Sequence, residues 1–389
     1  MDLGGSELSG ARVLVVNAGS SSLKLRLLDG GDAVEQSGDL DVGPDGIDPG
    51  ALAEVLAGWR TPDLVGHRVV HGGTRFAGPV RVAGPVRRQL ADLTDLAPLH
   101  QPGSLAALAA VAALLPDVPA AASFDTAFHA TMPVVAATYA VPREWRDRWG
   151  VRRYGFHGLS HAYCSHRVAQ LVGERPPGGG PLRLVTCHLG AGASLAAVVD
   201  GRSVDTTMGF TPLEGLVMAT RSGSVDPGLV LWLEEHEHLS PHEVATALDH
   251  RSGLTGLAGT GDMREIEAAV RRGEPDALLA LEVFIHRLVG GIAAMAAAAG
   301  GLDALAFTGG TGENSAVVRG RAAERLAFLG VRVDPGLDEA GLPGPGSPGG
   351  AVGHAEITAP GATVRTFVVA AREDLQIAGE VRRVLAGSA

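Results

Sequence analysis

Several residue types are scarce in this sequence, and each shortage excludes a class of protein. The 389 residues include two cysteines, Cys164 and Cys187, which are spaced neither as a CxxC pair nor as a zinc knuckle. We therefore expect two reduced thiols in a cytoplasmic protein and no disulfide framework. Basic residues number 32 against 43 acidic ones, and the net charge of −11 argues against binding to duplex nucleic acid or anionic membranes. Small-molecule chemistry is the main expectation.

Long hydrophobic runs are also lacking. Residues 105–115 are too few to span a bilayer, and the stretch 291–307 is interrupted by Gly300, Gly301 and Asp303. The acidic start of the chain has no basic segment before its first apolar run, so it does not resemble a secretory signal. The sequence thus predicts neither a transmembrane helix nor export.

Lysine and asparagine are almost absent. Lys24 is the only lysine, and Asn17 and Asn314 are the only asparagines. A chain with so strong a bias retains these residues where arginine, glutamine or aspartate cannot replace them chemically. We therefore treat these three positions as candidates for a functional site.

The order of apolar runs and turns indicates an α/β protein that contains a repeat. A hairpin is predicted over residues 12–28, and the same strand, glycine-rich turn and strand recur over residues 182–199, with Gly190 in the position of Gly19. The length fits two or three domains. Further predicted strands are 64–70, 120–124, 304–308 and 363–370, and the predicted helices are 85–96, 104–115, 160–173, 227–238, 241–251, 262–272, 274–299 and 374–385.

Three glycine-rich turns follow predicted strands, at residues 17–22 (NAGSSS), 188–194 (HLGAGAS) and 309–314 (GGTGEN). Glycine lets the backbone approach an anion closely, so successive N–H groups in such turns can bind phosphate. One such turn is commonly an ordinary hairpin tip, but three of them, two related by the repeat, favour a nucleotide site. The sequence has no GxxxxGK[ST] motif, which excludes a Walker P-loop.

The candidate cations and histidines have structural as well as functional interpretations. Lys24 follows the first turn, where its ammonium group can reach phosphate oxygens, although a lone strand lysine is commonly a solvated surface residue. Arg221 lies in a turn-rich segment, where a surface salt bridge of little energetic value is the simplest alternative. Six of the 14 histidines, which singly are more often packing residues, fall in the motifs GHRVVHGG (66–73), APLH (97–100), FDTAFH (124–129) and YGFHGLSH (154–161).

These four motifs belong to an ordered set of nine that resembles the acetate kinase family over nearly the whole chain. The other five are VVNAGSSSLK (15–24), CHLGAGAS (187–194), MGFTPLEGLVMATRSG (208–223), FTGGTGEN (307–314) and AREDLQIA (371–378). The resemblance implies an α/β, two-lobed actin-like ATPase (ribonuclease H-like) fold with duplicated β-hairpin-led domains. The expected first lobe is 1–157 plus 374–389, and the expected second lobe, 158–373, binds nucleotide and forms a homodimer.

The resemblance also implies a reaction: reversible transfer of the γ-phosphoryl group of ATP to acetate, giving ADP and acetyl phosphate, with Mg²⁺ or Mn²⁺ in its place. It implies no nucleic-acid or membrane partner. A carboxylate acceptor is already ionised at neutral pH, so this reaction needs cations and hydrogen-bond donors rather than a strong general base. Direct in-line transfer is the simplest mechanism, with a phosphoenzyme intermediate as the alternative.

Roles follow from matching motifs residue by residue. Arg68 and Arg221 resemble the pair that holds the acyl carboxylate and the transferring phosphoryl group. Asp125 resembles the catalytic aspartate, which we assign to organising Mg²⁺, water or the arginines. His157 resembles the transition-state histidine, and His100 an auxiliary one.

Binding residues follow in the same way. Asn17 and Glu373 resemble the magnesium residues of the family. The expected apolar wall around the acetate methyl group consists of Val70, Leu99, Phe156 and Pro212. The expected nucleotide-binding residues are Ser20, Ser22, Lys24, His188, Leu189, Gly190, Ala191, Gly192, Asp262, Met263, Arg264, Gly310, Thr311, Gly312, Glu313 and Asn314.

Some positions depart from the family pattern, which usually has asparagine in place of Ala191 and isoleucine in place of Thr311. Two alternatives to acetate kinase stay open. A propionate or butyrate kinase would share the motifs and differ in the volume of the acyl pocket. A non-catalytic, nucleotide-gated binding protein would share the fold, but the presence of both arginines, Asp125 and His157 argues against it.

Overall fold

The described residues fall into two units, each built around its own sheet. The structure, a computed structural model, describes residues 10–19, 22–42, 46–94, 101–174, 179–342 and 353–387. The first unit comprises Met1–Ala130 and Arg372–Ala389, and the second comprises Thr131–Ala371. Each unit contains one six-stranded mixed sheet with helices packed on it.

The strands and helices alternate along most of the chain. The strands are β1 Val13–Ala18, β2 Ser22–Leu28, β3 Val34–Asp41, β4 Leu64–Val69, β5 Val80–Arg81, β6 Ala120–Phe124, β7 Arg183–Leu189, β8 Ala193–Val199, β9 Arg202–Thr206, β10 Ala304–Thr308, β11 His354–Glu356 and β12 Arg365–Val369. The helices are α1 Pro49–Ala57, α2 Gly84–Ala91, α3 Gln101–Leu114, α4 Val134–Ala137, α5 Arg143–Trp149, α6 Gly158–Val172, α7 Pro227–His236, α8 Pro241–His250, α9 Gly253–Ala258, α10 Met263–Arg271, α11 Pro275–Ala298, α12 Gly309–Asn314, α13 Ala316–Arg325, α14 Pro335–Ala340 and α15 Glu373–Leu385, with short 3₁₀ turns at Ala127–Thr131 and Ala327–Leu329.

The two sheets have the same topology. The first has the strand order β3-β2-β1-β4-β6-β5, in which β1, β4 and β6 run parallel and the remaining neighbours pair antiparallel. The second has the order β11-β12-β10-β7-β8-β9, in which β7, β10 and β12 are the parallel strands. When β7, β10 and β12 are matched with β1, β4 and β6, each strand pair of one sheet has a counterpart of the same direction in the other. The repeat predicted from the two hairpins is therefore confirmed.

Central strands are apolar because both of their faces are covered. Along β1 all residues but Asn17 are buried, and Leu14, Val16 and Leu25 join one core cluster with Leu52 of α1. Parallel strands covered by helices on both faces are typically such continuous apolar runs. The polar residue near the end of β1 is therefore an exception that calls for a functional explanation.

The edge strands were missed by the sequence analysis, as was α1. In β3 (VEQSGDLD) no residue is fully buried, and β9 (RSVDT) is largely polar. An edge strand is held by main-chain hydrogen bonds along one side only, so its side chains need not follow the apolar pattern that identifies central strands. The predicted helix 85–96 corresponds to α2, which ends at Ala91, and the predicted turn 309–314 is the short helix α12.

The segment 131–157 belongs to the second unit, whereas the sequence analysis assigns it to the first lobe. Thr131 Oγ1 donates to the Ser203 carbonyl at 2.8 Å, and Arg153 Nη1 donates to the Met208 carbonyl at 3.0 Å. These contacts join the segment to the sheet and loops of the second unit, which therefore begins before residue 157.

Helix α11 is the most apolar long element among the described residues. Its length and mean hydropathy of 1.7 would suffice to cross a membrane, and 39% of that window is buried. One face of α11, including Leu281, Ile285, Leu288 and Ile292, is buried, and the helix packs on α9, α10 and β8. These contacts place α11 against the sheet and neighbouring helices of the second unit.

A buried histidine predicts how stability depends on pH. His67 on β4 is 2% exposed, and burial, assisted by the charge of Arg87, lowers the pKa of His67 to about 3. The unfolded residue has a pKa of about 6.5. Below that pH the unfolded chain binds a proton that the folded chain does not, so the free energy of unfolding decreases as the pH falls.

We expect His67 to contribute up to about 1.4 kcal/mol per pH unit to this decrease. Urea unfolding between about pH 5 and pH 7 should show a smaller pH dependence in His67→Gln than in the unsubstituted protein. His242→Gln, at an exposed histidine, is the control and should keep the full dependence. Equal slopes for His67→Gln and the unsubstituted protein would contradict a buried neutral His67.

Candidate functional site

Polar residues meet at the carboxyl ends of the parallel strands of the first unit. Asn17 lies near the end of β1, Arg68 near the end of β4, and Asp125 directly follows β6. The carboxyl ends of parallel strands lie along one edge of a sheet, which is where ligands commonly bind in open α/β sheets. The topology thus brings together three residues that are far apart in sequence.

A bidentate ion pair between Arg68 and Asp125 is the centre of this cluster. Arg68 Nε donates to Asp125 Oδ1 at 3.0 Å, and Arg68 Nη2 donates to Asp125 Oδ2 at 2.6 Å. The third nitrogen, Arg68 Nη1, donates to Asn17 Oδ1 at 3.0 Å. Asn17 Nδ2 in turn donates to Glu373 Oε2 at 3.0 Å. Both carboxylate oxygens of Asp125 are therefore engaged by the guanidinium group.

Glu373 reaches the cluster because α15 packs closely on the sheet. A Cβ atom at Gly66 of β4 would lie 2.6 Å from Ile377 Cγ2 and 2.8 Å from Val381 Cγ2, so only glycine permits this approach. Glu373 is the first residue of α15 and lies 3.9 Å from Arg68 Nε. The glycine of the motif GHRVVHGG therefore has a packing role that positions a carboxylate.

The cluster is buried and strongly coupled electrostatically. The side chain of Asp125 is 2% exposed and that of Arg68 is 16% exposed. Burial alone would lower the pKa of Arg68, but the carboxylates of Asp125 and Glu373 outweigh it, and the pKa is raised. Arg68 is thus a permanent cation with a fixed orientation.

The oxygen atoms of Asn17 and Glu373 fit the chemistry of a magnesium site. Mg²⁺ prefers oxygen ligands, takes one or two carboxylates, and keeps several waters or substrate phosphates. Among the described residues, no group of three or more His, Cys, Asp or Glu side chains could form an all-protein metal cage. One amide and one carboxylate match the sparse donor set that Mg²⁺ usually has in phosphoryl-transfer enzymes.

Lys24 lies on β2 directly opposite Asn17 of β1, with its side chain exposed. Directly opposite residues on neighbouring antiparallel strands project to the same face of the sheet. The hairpin closes through the Gly19 N–H, which donates to the Ser22 carbonyl at 2.8 Å. Ser22 is half-buried, and the predicted nucleotide residue Ser20 lies outside the described residues.

The residues predicted to form the apolar wall are divided between the units. Val70 follows β4 and is 8% exposed, and Phe156 in the second unit is 1% exposed. Pro212 is half-buried. Leu99 and the auxiliary His100 lie outside the described residues.

In the second unit, His157 and Arg221 border the same glycine. A Cβ atom at Gly192 would meet His157 Cε1 and Nε2 at 3.1 Å and Arg221 Nη2 at 3.3 Å. Gly192 belongs to the predicted nucleotide turn HLGAGAS. The absence of a side chain there lets an imidazole nitrogen and a guanidinium nitrogen approach one backbone segment, a suitable arrangement for binding an anion.

Arg221 is largely buried, and two neighbouring residues hold its guanidinium group in place. Its Nη1 donates to the Pro212 carbonyl at 2.7 Å, and its Nε lies 3.6 Å from Asp249 Oδ1, with the arginine side chain 19% exposed. Burial lowers the pKa of Arg221, opposed by the charge of Asp249. The surface salt bridge considered as the alternative is therefore wrong, because the pair is largely buried.

The segment His188–Gly192 forms a tight turn stabilised by its backbone. The Gly190 N–H donates to the Gly192 carbonyl at 2.9 Å, and the Ala191 carbonyl accepts from the Ala219 N–H at 3.0 Å. His188 Nδ1 is 2.8 Å from Ser160 Oγ of α6. Leu189 is fully buried, so it contributes its backbone to the turn while its side chain packs in the core.

The predicted nucleotide segment 310–314, with Thr311 and Asn314, is helical in α12. Glu313 Oε1 accepts from the Gly309 N–H at 3.0 Å and from the Ala371 N–H at 2.9 Å, which ties the end of β10 to the segment after β12. Asn314 is exposed, and its Nδ2 donates to the Gly310 carbonyl at 2.8 Å. Thr311 is half-buried and Gly312 is buried.

Arg319 supports the same segment and was missed by the sequence analysis. It is 1% exposed, its Nη1 donates to the Gly312 and Glu313 carbonyls at 2.8 and 3.0 Å, and its Nε donates to Asp338 Oδ1 at 2.5 Å. A chain with many arginines gives no sequence signal that distinguishes this buried one.

The third predicted nucleotide segment starts α10. Asp262 caps the helix by accepting from the Arg264 N–H at 2.9 Å, and its carboxylate also pairs with the Arg264 guanidinium group. Hydrogen bonds from Arg264 lower the pKa of Asp262 to about 2. Met263 is 6% exposed, whereas Arg264 is exposed.

The predicted site residues that are described thus fall into two groups, one in each unit. The first unit holds Asn17, Ser22, Lys24, Arg68, Val70, Asp125 and Glu373. The second holds Phe156, His157, His188, Leu189, Gly190, Ala191, Gly192, Pro212, Arg221, Asp262, Met263, Arg264, Gly310, Thr311, Gly312, Glu313 and Asn314.

Two hairpin-led units of identical strand order, each with polar residues at the carboxyl ends of its parallel strands, define an α/β phosphotransferase of the actin-like ATPase fold. The model of the acetokinase family matches residues 55–379, and the chain belongs to this family. The resemblance inferred from the nine motifs is confirmed.

Similar proteins agree with this assignment. The chain is 45% identical to an acetate kinase of Deinococcus deserti over 96% of this chain and 98% of the relative, and 44% identical to that of Deinococcus radiodurans over the same shares. A crystal structure of Porphyromonas gingivalis acetate kinase is similar with a TM-score of 0.84 and 34% identity, covering 96% of this chain and 100% of that one. A propionate kinase from Francisella tularensis gives a TM-score of 0.86 and 33% identity with the same coverage.

The buried ion pair makes a prediction about stability. Arg68→Ala leaves the Asp125 carboxylate buried without its partner, which should cost about 3–5 kcal/mol of unfolding free energy. As a control, Arg26→Ala breaks a pair of equal length, Arg26 to Asp39 at 2.6 Å, in which the aspartate side chain is 53% exposed. That loss should be about 0–1 kcal/mol.

Calorimetric unfolding of the two variants measures the difference. Adding Asp125→Ala to Arg68→Ala should recover part of the loss, because the unpaired charge is then removed. Equal destabilisation by Arg68→Ala and Arg26→Ala would show that Asp125 does not need its partner.

Proposed function

We propose that this member of the acetokinase family transfers the γ-phosphoryl group of ATP to acetate, reversibly, giving ADP and acetyl phosphate. One observation carries the choice of a carboxylate acceptor. Asp125 is buried at the edge of the first sheet with both oxygens engaged by Arg68. It is therefore not available as the general base that a neutral hydroxyl acceptor would require. Acetate is already ionised and needs no base.

Electrostatic stabilisation supplies the rest of the catalysis. An acetate oxygen attacks the γ-phosphorus while the bond from that phosphorus to the oxygen of ADP breaks, so no protein group is phosphorylated. Arg68 and Arg221 each present a planar guanidinium group that can hold a carboxylate or phosphoryl oxygen pair. His157 donates a hydrogen bond to the transferring phosphoryl group. Asp125 fixes the orientation of Arg68.

Asn17 and Glu373 would hold Mg²⁺. When bound, Mg²⁺ or Mn²⁺ would neutralise phosphate charge and so stabilise the transferring group. The nucleotide itself would bind to Lys24 with Ser20 and Ser22, to the turn His188–Gly192, and to the segments 262–264 and 310–314. The family assignment and the glycine-rich turns support this arrangement.

The acyl group would lie against Val70, Leu99, Phe156 and Pro212, with His100 nearby. A propionate kinase is the second candidate function, because one of the similar structures is a propionate kinase. The two activities differ by one methylene group in this pocket.

We also propose a cytoplasmic homodimer that associates through the second unit. Helix α7 exposes Leu229, Leu231 and Trp232 by 44%, 57% and 46%, and none of its residues is buried. Exposed apolar side chains on one helix are typical of an interface between subunits. Both cysteines are buried free thiols, which fits a reducing compartment.

Trapping the acyl phosphate as a hydroxamate tests the function. With ATP and Mg²⁺, we expect kcat/KM to be highest for acetate, lower for propionate and lowest for butyrate, because one misplaced methylene group costs roughly 1–3 kcal/mol in a tight pocket. Higher kcat/KM for propionate would identify a propionate kinase. No hydroxamate with any of the three acids would contradict the function.

Val70→Ala adds a test of the pocket. Val70 is close in sequence to Arg68, and shortening it should improve propionate use relative to acetate by enlarging the pocket. If Val70 only packs against the sheet, both substrates should suffer alike and the ratio of their kcat/KM values should not change.

Arg221→Ala should lower kcat by about 10²–10³-fold, the usual effect of removing a donor to the transition-state anion. Arg221→Lys should restore activity only in part, because a point charge cannot reproduce the planar pair of donors. Arg202→Ala, at an exposed arginine of β9, is the control and should retain full activity. An unchanged kcat in folded Arg221→Ala would remove Arg221 from the mechanism.

A further inference from the structure

A chain of hydrogen bonds extends from His157 into the core of the second unit. His157 Nδ1 lies 2.9 Å from Ser194 Oγ, and Ser194 Oγ lies 2.8 Å from His161 Nε2. His161 Nδ1 lies 2.7 Å from Thr186 Oγ1. The chain therefore connects four side chains, of which only His157 was predicted as a site residue.

The fold brings these four residues together in a simple way. His157 is the N-cap of α6, and His161 lies one turn further along, where its N–H donates to the His157 carbonyl at 2.9 Å. Thr186 lies on β7, and Ser194 lies on β8 opposite His188, the alternate neighbour of Thr186. Both hydroxyls therefore project from the same face of the sheet, and α6 packs on β7.

The three supporting side chains are sealed from solvent. His161, Thr186 and Ser194 are each 0% exposed. Leaving a buried hydroxyl proton without an acceptor costs about 1–3 kcal/mol, so a buried hydroxyl that has an acceptor within reach donates its proton there. This requirement determines which way each hydrogen bond of the chain runs.

The Thr186 hydroxyl fixes the direction. Among the described residues, the one hydrogen-bond partner of the Thr186 hydroxyl is His161 Nδ1. The Thr186 hydroxyl proton is therefore donated to that nitrogen. A neutral His161 then carries its proton on Nε2 and donates to Ser194 Oγ. The Ser194 proton is left for His157 Nδ1. A neutral His157 consequently has its own proton on Nε2.

That nitrogen is the one that borders Gly192 beside Arg221. A neutral imidazole with a proton on Nε2 donates a hydrogen bond to an anion there without placing a second cation next to the guanidinium group. With the opposite chain direction, a neutral His157 would present a lone pair to the same anion, which is repulsive.

The backbone of His157 also indicates that its position is enforced. Its φ of 56° and ψ of 23° lie in the left-handed region, which non-glycine residues seldom adopt. Such a conformation persists when surrounding contacts determine it, and it is found preferentially at functional sites. The ring is further packed against His188, with the two centroids 4.3 Å apart.

We propose that Thr186, His161 and Ser194 are positioning residues that hold His157 as a neutral Nε2–H donor to the transferring phosphoryl group. The donor role rests on the proposed function, whereas the state of the ring does not. Thr186 lies at the end of the hydrogen-bond series that is farthest from His157, and it makes no contact with the reacting groups.

The state of the ring is measured directly by long-range ¹H–¹⁵N spectra of protein labelled with ¹⁵N-histidine, with the His157 signals identified by their loss in His157→Gln. We expect the Nε2–H tautomer in the unsubstituted protein and an increased share of the Nδ1–H tautomer in Thr186→Val. A predominantly Nδ1–H tautomer in the unsubstituted protein would overturn the proposal without any activity measurement.

Steady-state kinetics of Thr186 variants test the positioning role. Thr186→Val keeps the size and β-branching of the side chain but removes the hydroxyl, and should lower kcat about tenfold or more while KM for acetate and ATP changes little. Thr186→Ser returns the hydroxyl and should restore most of kcat. The control is Thr366→Val in the same sheet. It removes a fully buried hydroxyl that makes no hydrogen bond to any described residue, and it should leave kcat unchanged.

Each outcome separates the alternatives. An unchanged kcat in Thr186→Val, or a loss that Thr186→Ser does not restore, would overturn the positioning role. Failure of the unsubstituted protein to form acyl phosphate would instead contradict the proposed function, and the spectra would still decide the tautomer.

Discussion

The ion pair between Arg68 and Asp125 is the constraint on which the first unit depends. Two charged groups that are largely removed from water are tolerated only when their geometry is close to ideal, and here two hydrogen bonds of 3.0 and 2.6 Å join them. The pair requires β4 and β6 to be in parallel register, so that both side chains emerge at one sheet edge. Through Asn17 and Glu373, the same cluster links the first strand to the C-terminal helix. Fold and site are therefore stabilised by the same contacts.

The duplicated architecture carries different chemistry in its two copies. In the first unit the sheet edge holds a charged network of an arginine, two carboxylates and an amide. In the second, Arg221 is the cation beside Gly192, and a network of imidazoles and hydroxyls extends from His157, which borders the same glycine. Glycine has a decisive role in both copies, because Gly66 admits α15 and Gly192 admits His157 and Arg221. Equivalent strand orders thus supply equivalent edges, and the side chains at those edges set the function.

This division suits a reaction between two anions. Fixed cations offset the repulsion between a carboxylate and a phosphate, and they cost little reorganisation if they are already oriented. Neutral donors add hydrogen bonds without further charge. In the role proposed for them, the buried hydroxyls behind His157 serve the same end by holding its ring as a neutral donor.

The sequence by itself determined the repeat, the central strands, the glycine-rich turns and the nine motifs, because these depend on local patterns of apolar, glycine and polar residues. The scarcity of lysine and asparagine also drew attention to Asn17 and Lys24, which face each other across β1 and β2. The polar edge strands β3 and β9, and the assignment of residues 131–157 to the second unit, depend on pairing partners distant in sequence. Only the tertiary structure decided that Asp125 is fully engaged by Arg68, that Arg319 supports the segment 310–314, and that Thr186 and Ser194 stand behind His157. Those contacts join residues tens of positions apart or on different elements, where no local pattern encodes which side chains meet.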